Sequence, residues 1–452
     1  MTTVEAFTGP TTELLQALIR NRCVNDGSPD SGDEVRNADL LRGHLEGGGL
    51  DVQTYESRPG RASIVARIEG SDPAAPALCL MGHTDVVPVN PEGWSREPFS
   101  GDVIAAPDGT KEVWGRGAID MLCLTSSMAV AFRRLATEGF RPQGTLIYFG
   151  VADEEAGGVW GAEWMLDHHW DAVGAEFVLT ESGGWSRHGD DGVRRVVVNV
   201  AEKGIAWMRL RVHGTPAHGS MPYGADNALI TAAEVVRRLS TYRTVPNLGD
   251  IWQAYVDGLD VSTDVRAALN DPAHVYETLA TLDPAVSRYA HACSHTTISP
   301  NVAHGGQKTN TIPDIVDLDV DVRTVPGDGW EQVQEYLRDA LGELLDRIEI
   351  TPLQRGDATR CATDNRLWDA LAARTQAVYP GAELQPGMMV GGTDGRFYRR
   401  RGSIAYGAAL FSPGVTFESF GRRFHGNDER IDIDSLGLSA DFYYELAKHV
   451  VG

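Results

Sequence analysis

Six residues carry side chains suited to holding metal and moving protons: His83, Asp120, Glu154, Glu155, Glu181 and His425. Imidazole and carboxylate without thiolate suit a hydrolytic zinc site, or one for manganese or cobalt, better than a structural one. They are more ligands than one zinc uses. Two divalent metals about 3.5 to 4 Å apart, sharing a carboxylate, account for the whole set. Asp85 lies two residues beyond His83. On an extended chain it falls on the same side and suits a carboxylate gripping the imidazole.

Such residues meet only if the intervening chain brings them together. Ala77 to Met81 is an apolar run leading into Gly82-His83-Thr84-Asp85, the pattern of a buried parallel strand that delivers a histidine at its carboxyl end. Thr145 to Val151 is a second such run, ending in Asp153-Glu154-Glu155, and Glu176 to Thr180 a third, ending in Glu181. In open α/β sheets the ligand crevice lies beyond the carboxyl ends of the strands, so three such ends converge on one site. The adjacent carboxylates repel one another and require something cationic to offset them. Asp120 stands at the entry of a helical pattern from Leu122 to Leu135, where helix capping is the competing use of its side chain. Trp94 and Phe99, in the loop from Pro88 to Gly101, read as a site wall.

The pattern predicts helices from Thr11 to Arg22 and from Asn37 to Leu45, the second closed by glycines 47 to 49, then strands at Asp51 to Tyr55 and Ser63 to Ile68. From Ile205 the order becomes strand, helix, two strands, helix, strand, the split βαβ layout. The domain reading is a catalytic domain from residues 1–200 and 358–452, into which 201–357 is inserted with an extra, mostly helical stretch at about 241–296. The fold class is α/β with a mostly parallel sheet, plus an inserted α+β, ferredoxin-like domain. A helix from Asn365 to Val378, a glycine turn holding Thr393, Asp394 and Arg396, a strand at Ser403 to Ala409 and a helix beginning near Asp434 complete the chain.

The 63 acidic and 40 basic residues leave a formal charge of −23. Such a surface repels nucleic acid and anionic membranes, so neither is an expected partner. No apolar run reaches the length of a membrane span, and the amino terminus shows no secretory signal. The five cysteines are scattered and form no paired motif, which fits a reducing, cytoplasmic setting.

The segments Gly82-His83-Thr84-Asp85-Val86-Val87-Pro88, Gly115-Arg116-Gly117-Ala118-Ile119-Asp120-Met121, Asp153-Glu154-Glu155, Glu181, Ala217-His218-Gly219-Ser220 and His425-Gly426 occur in that order over nearly the whole chain. The ordered set resembles the dinuclear-zinc metallopeptidase family that includes aminoacylase, glutamate carboxypeptidase, acetylornithine deacetylase and succinyl-diaminopimelate desuccinylase. The resemblance implies a zinc-peptidase-like catalytic domain and a lid or dimerisation role for the insert. It makes Asp120 the bridging carboxylate, places His83 and Glu181 on one metal and Glu155 and His425 on the other, and makes Glu154 the general base. Asp85 would orient His83, and the Asp120-Met121 peptide would be cis. His218 would donate to the oxyanion, in many members from a partner subunit. Asn310 and Arg323 would clamp the substrate carboxylate, a task that suits the planar fork of arginine, with Thr393 and Arg396 assisting. Leu122 and Cys123 depart from the Lys and Gly often found there.

The leading expectation is a metal-dependent hydrolase cleaving the amide of a small N-acyl amino acid or short peptide with a free carboxylate, as a homodimer through the insert. The alternatives are an aminopeptidase or dipeptidase recognising a free amine, and a non-catalytic binding protein of the same fold. Every ligand position and Glu154 are occupied by competent residues, which speaks against the last.

Overall fold

Strand Leu78–His83 is buried along its whole length because its alternating side chains are covered on both sides. Leu78 and Leu80 belong to one core cluster with Leu122, Met128 and Leu446, while Cys79 and Met81 belong to another with Met165, Leu166 and Val178. The computed structural model describes residues 3–46 and 49–452. Glycines 47 and 48, expected to close the second helix, lie outside the described residues.

The strand belongs to a ten-stranded sheet. At its centre Leu146–Val151, Leu78–His83, Phe177–Thr180 and Ile404–Gly407 lie side by side and parallel. Parallel order holds there, and antiparallel strands flank it. Val52–Glu56 and Ala62–Ile68 are close in sequence and pair as a hairpin, which continues antiparallel onto Leu146–Val151. Helices Thr3–Arg20, Leu122–Thr137 and Ile433–Val451 pack together on one face.

A separate four-stranded sheet has the order Thr297–Gly305, Ile315–Thr324, Gly204–His213, Ile348–Gly356, antiparallel throughout. Burial alternates strictly along Ile315–Thr324, as in a sheet with one wet face. The dry face carries Met208, Leu210, Leu318 and Val320 against Val235 and Leu337 of helices Ala228–Thr241 and Trp330–Leu341. The wet face carries cross-strand pairs, Arg209 with Asp319 and Arg211 with Asp317, at 2.7 and 2.8 Å.

Residues 241–296 form four helices, Asp250–Asp257, Thr263–Leu269, Val275–Leu279 and Pro284–Ser294. Their apolar faces pack not on the four-stranded sheet but in the core of the large one, where Trp252, Tyr255, Ala290 and Cys293 share a cluster with Met388.

Several local expectations are corrected. The first helix runs unbroken from Thr3 to Arg20 with Pro10 inside it. The hydroxyls of Thr8, Thr11 and Thr12 donate to the carbonyls of Val4, Phe7 and Thr8, extra bonds along the turns where proline provides no N–H. Phe99 is a core residue rather than a wall. A strand at Glu383–Met389 escapes the sequence pattern because it contains Pro386 and Gly387. Among the described residues it pairs with Arg194–Glu202 alone, so the missing proline N–H breaks no second ladder.

Candidate metal centre

The central parallel strands place three ligand-bearing turns side by side. His83 stands opposite Val151 in the register, so the turn that carries Glu154 and Glu155 begins beside it, and Glu181 follows the neighbouring Phe177–Thr180. Gly82 lets the helix Leu122–Thr137 come close: a Cβ there would lie 3.0 Å from the Thr125 Cα. The Thr125 hydroxyl in turn donates to the His83 carbonyl at 2.7 Å. His425 is brought in from the far end of the chain by a small sheet of Val103–Ala105, Lys111–Trp114 and Arg430–Asp432. Non-glycine residues occupy left-handed conformations at each of three ligand turns, Asp153 at φ 72°, Ser182 at 66° and His425 at 53°. Backbone held there costs on the order of 1–3 kcal/mol and clusters at functional sites.

His83 Nε2 lies 3.2 Å from Asp120 Oδ1 and 3.8 Å from Glu181 Oε2. His425 Nε2 lies 2.8 Å from Asp120 Oδ2 and 3.4 Å from Glu155 Oε2. Two groups of metal-competent atoms result, His83–Asp120–Glu181 and Asp120–Glu155–His425, each within a 4.8 Å span. Asp120 belongs to both and offers a different oxygen to each. It does not cap its helix, for Met121 stands at the N-cap. Among the described residues no peptide bond is cis, so Asp120-Met121 is trans against expectation; the amides of Ile119 and Asp120 both donate to Glu429 Oε1, at 2.6 and 3.0 Å, and fix this turn.

Positioning groups surround the ligands. His83 Nδ1 lies 3.0 Å from the Asp85 carbonyl, which only accepts, so Nδ1 carries a hydrogen and Nε2 is the nitrogen turned towards Asp120 and Glu181. The Asp85 carboxylate is 3.5 Å from Nδ1 and accepts from Asn25 Nδ2 and the Glu155 amide at 2.8 and 3.1 Å. It therefore aligns both metal groups at once. Asn25 also accepts from Arg61, itself paired with buried Glu34. Arg116 donates to Glu429 at 2.6 Å and to the His425 carbonyl at 3.3 Å, with Trp94 beneath its guanidinium. Arg116 and Glu429 were not recognisable as site residues from spacing. Removing one partner of such a buried pair strands the other, so Arg116→Met is expected to lower stability by about 3–5 kcal/mol, measured by denaturant unfolding. It should also weaken metal binding at His425 by about 10- to 100-fold, measured by chelator competition.

Charge at the centre is unbalanced. Burial first, then mutual repulsion, raises Glu154 and Glu181 well above the usual carboxylate range, and Glu155 also rises. Burial lifts Asp394 to about 7. Burial opposes charge on both histidines, yet the surrounding carboxylates hold His83 well above its ordinary value and His425 at about 10. Burial would raise Asp120 too, but hydrogen bonds to His425 and His83 keep it low. The pocket thus crowds more carboxyl groups together than its two imidazoles can pair with, and Glu155 Oε1 is buried without a partner. Divalent cations fit this donor set.

The remaining predicted residues stand elsewhere. His218, on the strand Ala217–His218, and Asn310, just before its partner strand Thr311–Ile312, come together, with the Gly219 amide donating to the Asn310 carbonyl at 2.8 Å. His218 is exposed, 2.8 Å from the Ser220 hydroxyl. Arg323 donates to Asp321 at 2.9 Å and lies over Trp207. Among the described residues no hydrogen bond or ion pair joins these three to the two metal-competent groups. Thr393 is buried, its amide donating to Glu202. Arg396 donates to the carbonyls of Thr393 and Gly157 at 2.7 and 2.6 Å, so both residues brace the turn behind Glu154.

Residues 79–449 match the sequence profile of peptidase family M20/M25/M40. The chain belongs to that family. Curated relatives of this M20 chain include a probable carboxypeptidase S-like 2 of Dictyostelium discoideum, 27% identical over 86% of this chain and 74% of that protein. Human aminoacylase-1 is 27% identical over 97% of this chain and 94% of its own. Among solved structures, the M20 metallo-carboxypeptidase Sso-CP2 of Sulfolobus solfataricus superposes with TM-score 0.73 at 18% identity, covering 97% and 99% of the two chains. The dipeptidase Dug1p of Saccharomyces cerevisiae gives 0.69 at 18% identity, covering 98% and 96%. The M20 chain is a metallohydrolase acting on amide bonds.

Proposed function

We propose that the protein hydrolyses the amide bond of small N-acyl amino acids or short peptides that carry a free carboxylate, with Glu154 as the general base. The observation that carries this is the double use of Asp120, whose two oxygens face His83 and His425 respectively. His83 and Glu181 would hold one divalent cation and Glu155 and His425 the other, with Asp120 between them. Zinc is the metal preferred by such histidine and carboxylate sets. When bound, the cations polarise the scissile carbonyl and acidify water. Glu154, one residue from a ligand, takes up the proton of the attacking water and hands it to the departing nitrogen. Asp85 and Glu429 keep the ligands aligned meanwhile. Relatives named as aminoacylase and carboxypeptidase support this substrate class.

Residues 201–357 would form an inserted domain on the four-stranded sheet, with 241–296 returning to the large core. His218 and Asn310 on this unit would meet the oxyanion and substrate when the two parts approach, His218 from a partner subunit. Leu229 and Ile230, exposed on its helix Ala228–Thr241, support pairing of two copies through this face. Buried, unpaired cysteines support a reducing, cytoplasmic location. No helix among the described residues is long and apolar enough to cross a membrane.

Zinc-loaded protein assayed against N-acyl amino acids, dipeptides and their carboxamides tests the reading. Turnover of the free acids is expected, and turnover confined to substrates without a carboxylate would refute it. Arg323→Ala is expected to raise KM for the acids by roughly 10- to 100-fold, the worth of a charge-assisted hydrogen bond, and to leave the carboxamides nearly unchanged.

A further inference from the structure

A second group of buried polar atoms takes no part in the metal centre. Arg187, on the strand Ser186–His188, has its guanidinium carbon 3.9 Å from the ring centre of Phe417, 4.8 Å from Tyr255 and 5.8 Å from Tyr289. The rings attract the cation and pin it in place. Its Nε and Nη1 are buried without a hydrogen-bond partner, and it forms no ion pair among the described residues. Around the same small void stand Trp185 Nε1, the Tyr255 hydroxyl and Gln385 Oε1, each buried and likewise unpartnered. Indole and guanidinium nitrogens only donate, the hydroxyl does either, and the amide oxygen alone is restricted to accepting. The cluster is therefore short of acceptors, and a carboxylate supplies several on one small group.

Arg187 and Tyr255 also line an adjoining cavity of about 510 Å³, a size suited to a small molecule. Leu259, Val261, Leu282 and Val286 give it apolar walls, whereas Asp260, Asp283 and Glu418 are exposed around it. A ligand with its head at Arg187 would meet hydrocarbon along the walls and negative charge around the exposed rim. A second carboxylate at its outer end would be repelled.

We propose that this cavity, apart from the metal centre, binds a monocarboxylate with an apolar body, its head held by Arg187 with Tyr255 beside it. The site borders helix Phe417–Arg423, beyond which Phe424 stacks on His425, so it lies about two helical turns from a metal ligand. It is independent of the substrate reading.

Titration of the zinc-loaded protein with 4-phenylbutyrate, followed by calorimetry, tests the proposal. One saturable site per chain is expected, weakened at least tenfold in Arg187→Gln and in Val286→Trp, whose indole fills the cavity. 4-Phenylbutyramide and octanedioate should bind at least tenfold more weakly than 4-phenylbutyrate. Unchanged affinity in both variants would place the acid at the metals and overturn the proposal. So would equal binding of the amide, or no saturable binding up to about 10 mM. If Arg187→Gln fails to fold, Val286→Trp decides alone, because it leaves the aromatic cage intact.

Discussion

Glu154→Gln is expected to keep both metals and lose about two to four orders of magnitude in kcat, the usual worth of a positioned general base. The amide side chain has the shape of the acid and cannot accept the proton. Glu154 lies outside both metal-competent groups, so its replacement removes none of their ligand atoms. Metal content by elemental analysis should remain at two per chain and KM should change little. Loss of metal together with activity would make Glu154 a ligand, and full activity in a metal-replete variant would remove it as the base.

Asp120→Asn should be more damaging, because this residue alone serves both metal groups. An amide has one acceptor oxygen and cannot present a negative oxygen to each side. At least one metal equivalent should be lost, with turnover falling on the order of 10³-fold or more, since removing even one charge-stabilising donor costs about 10²–10³. Equilibrium dialysis against zinc measures the first effect and steady-state kinetics the second. Glu181→Gln, by contrast, touches one group only, so the His425 side should still bind metal.

The ligand-bearing strand ends were legible in the sequence for a physical reason. A strand covered on both faces is apolar throughout, so the first polar residue after it stands out, as His83 and Glu181 do. The order of segments then paired them with Asp120 and His425. Arg116 and Glu429 were not legible in the same way. They meet across 313 residues of chain, and neither the glycines beside one nor the asparagine and aspartate beside the other betray a partner. Asn25, Glu34 and Arg61 were hidden likewise, because buried ion pairs look in sequence like ordinary surface charge. The four helices of residues 241–296 were readable as helices, yet an amphipathic pattern says only that one face is covered and not by what. The covering turned out to be the large core around Met388. Pro386 concealed a strand, since proline argues against a ladder unless the strand pairs on one side alone.

Anomalous scattering from zinc-loaded crystals tests the central claim most directly. Two peaks about 3.5–4 Å apart are expected, one against His83 and Glu181, the other against Glu155 and His425, with Asp120 between them. An active, zinc-loaded protein whose metal lies away from Asp120, or that holds a single ion touching only one of the two groups, would contradict it.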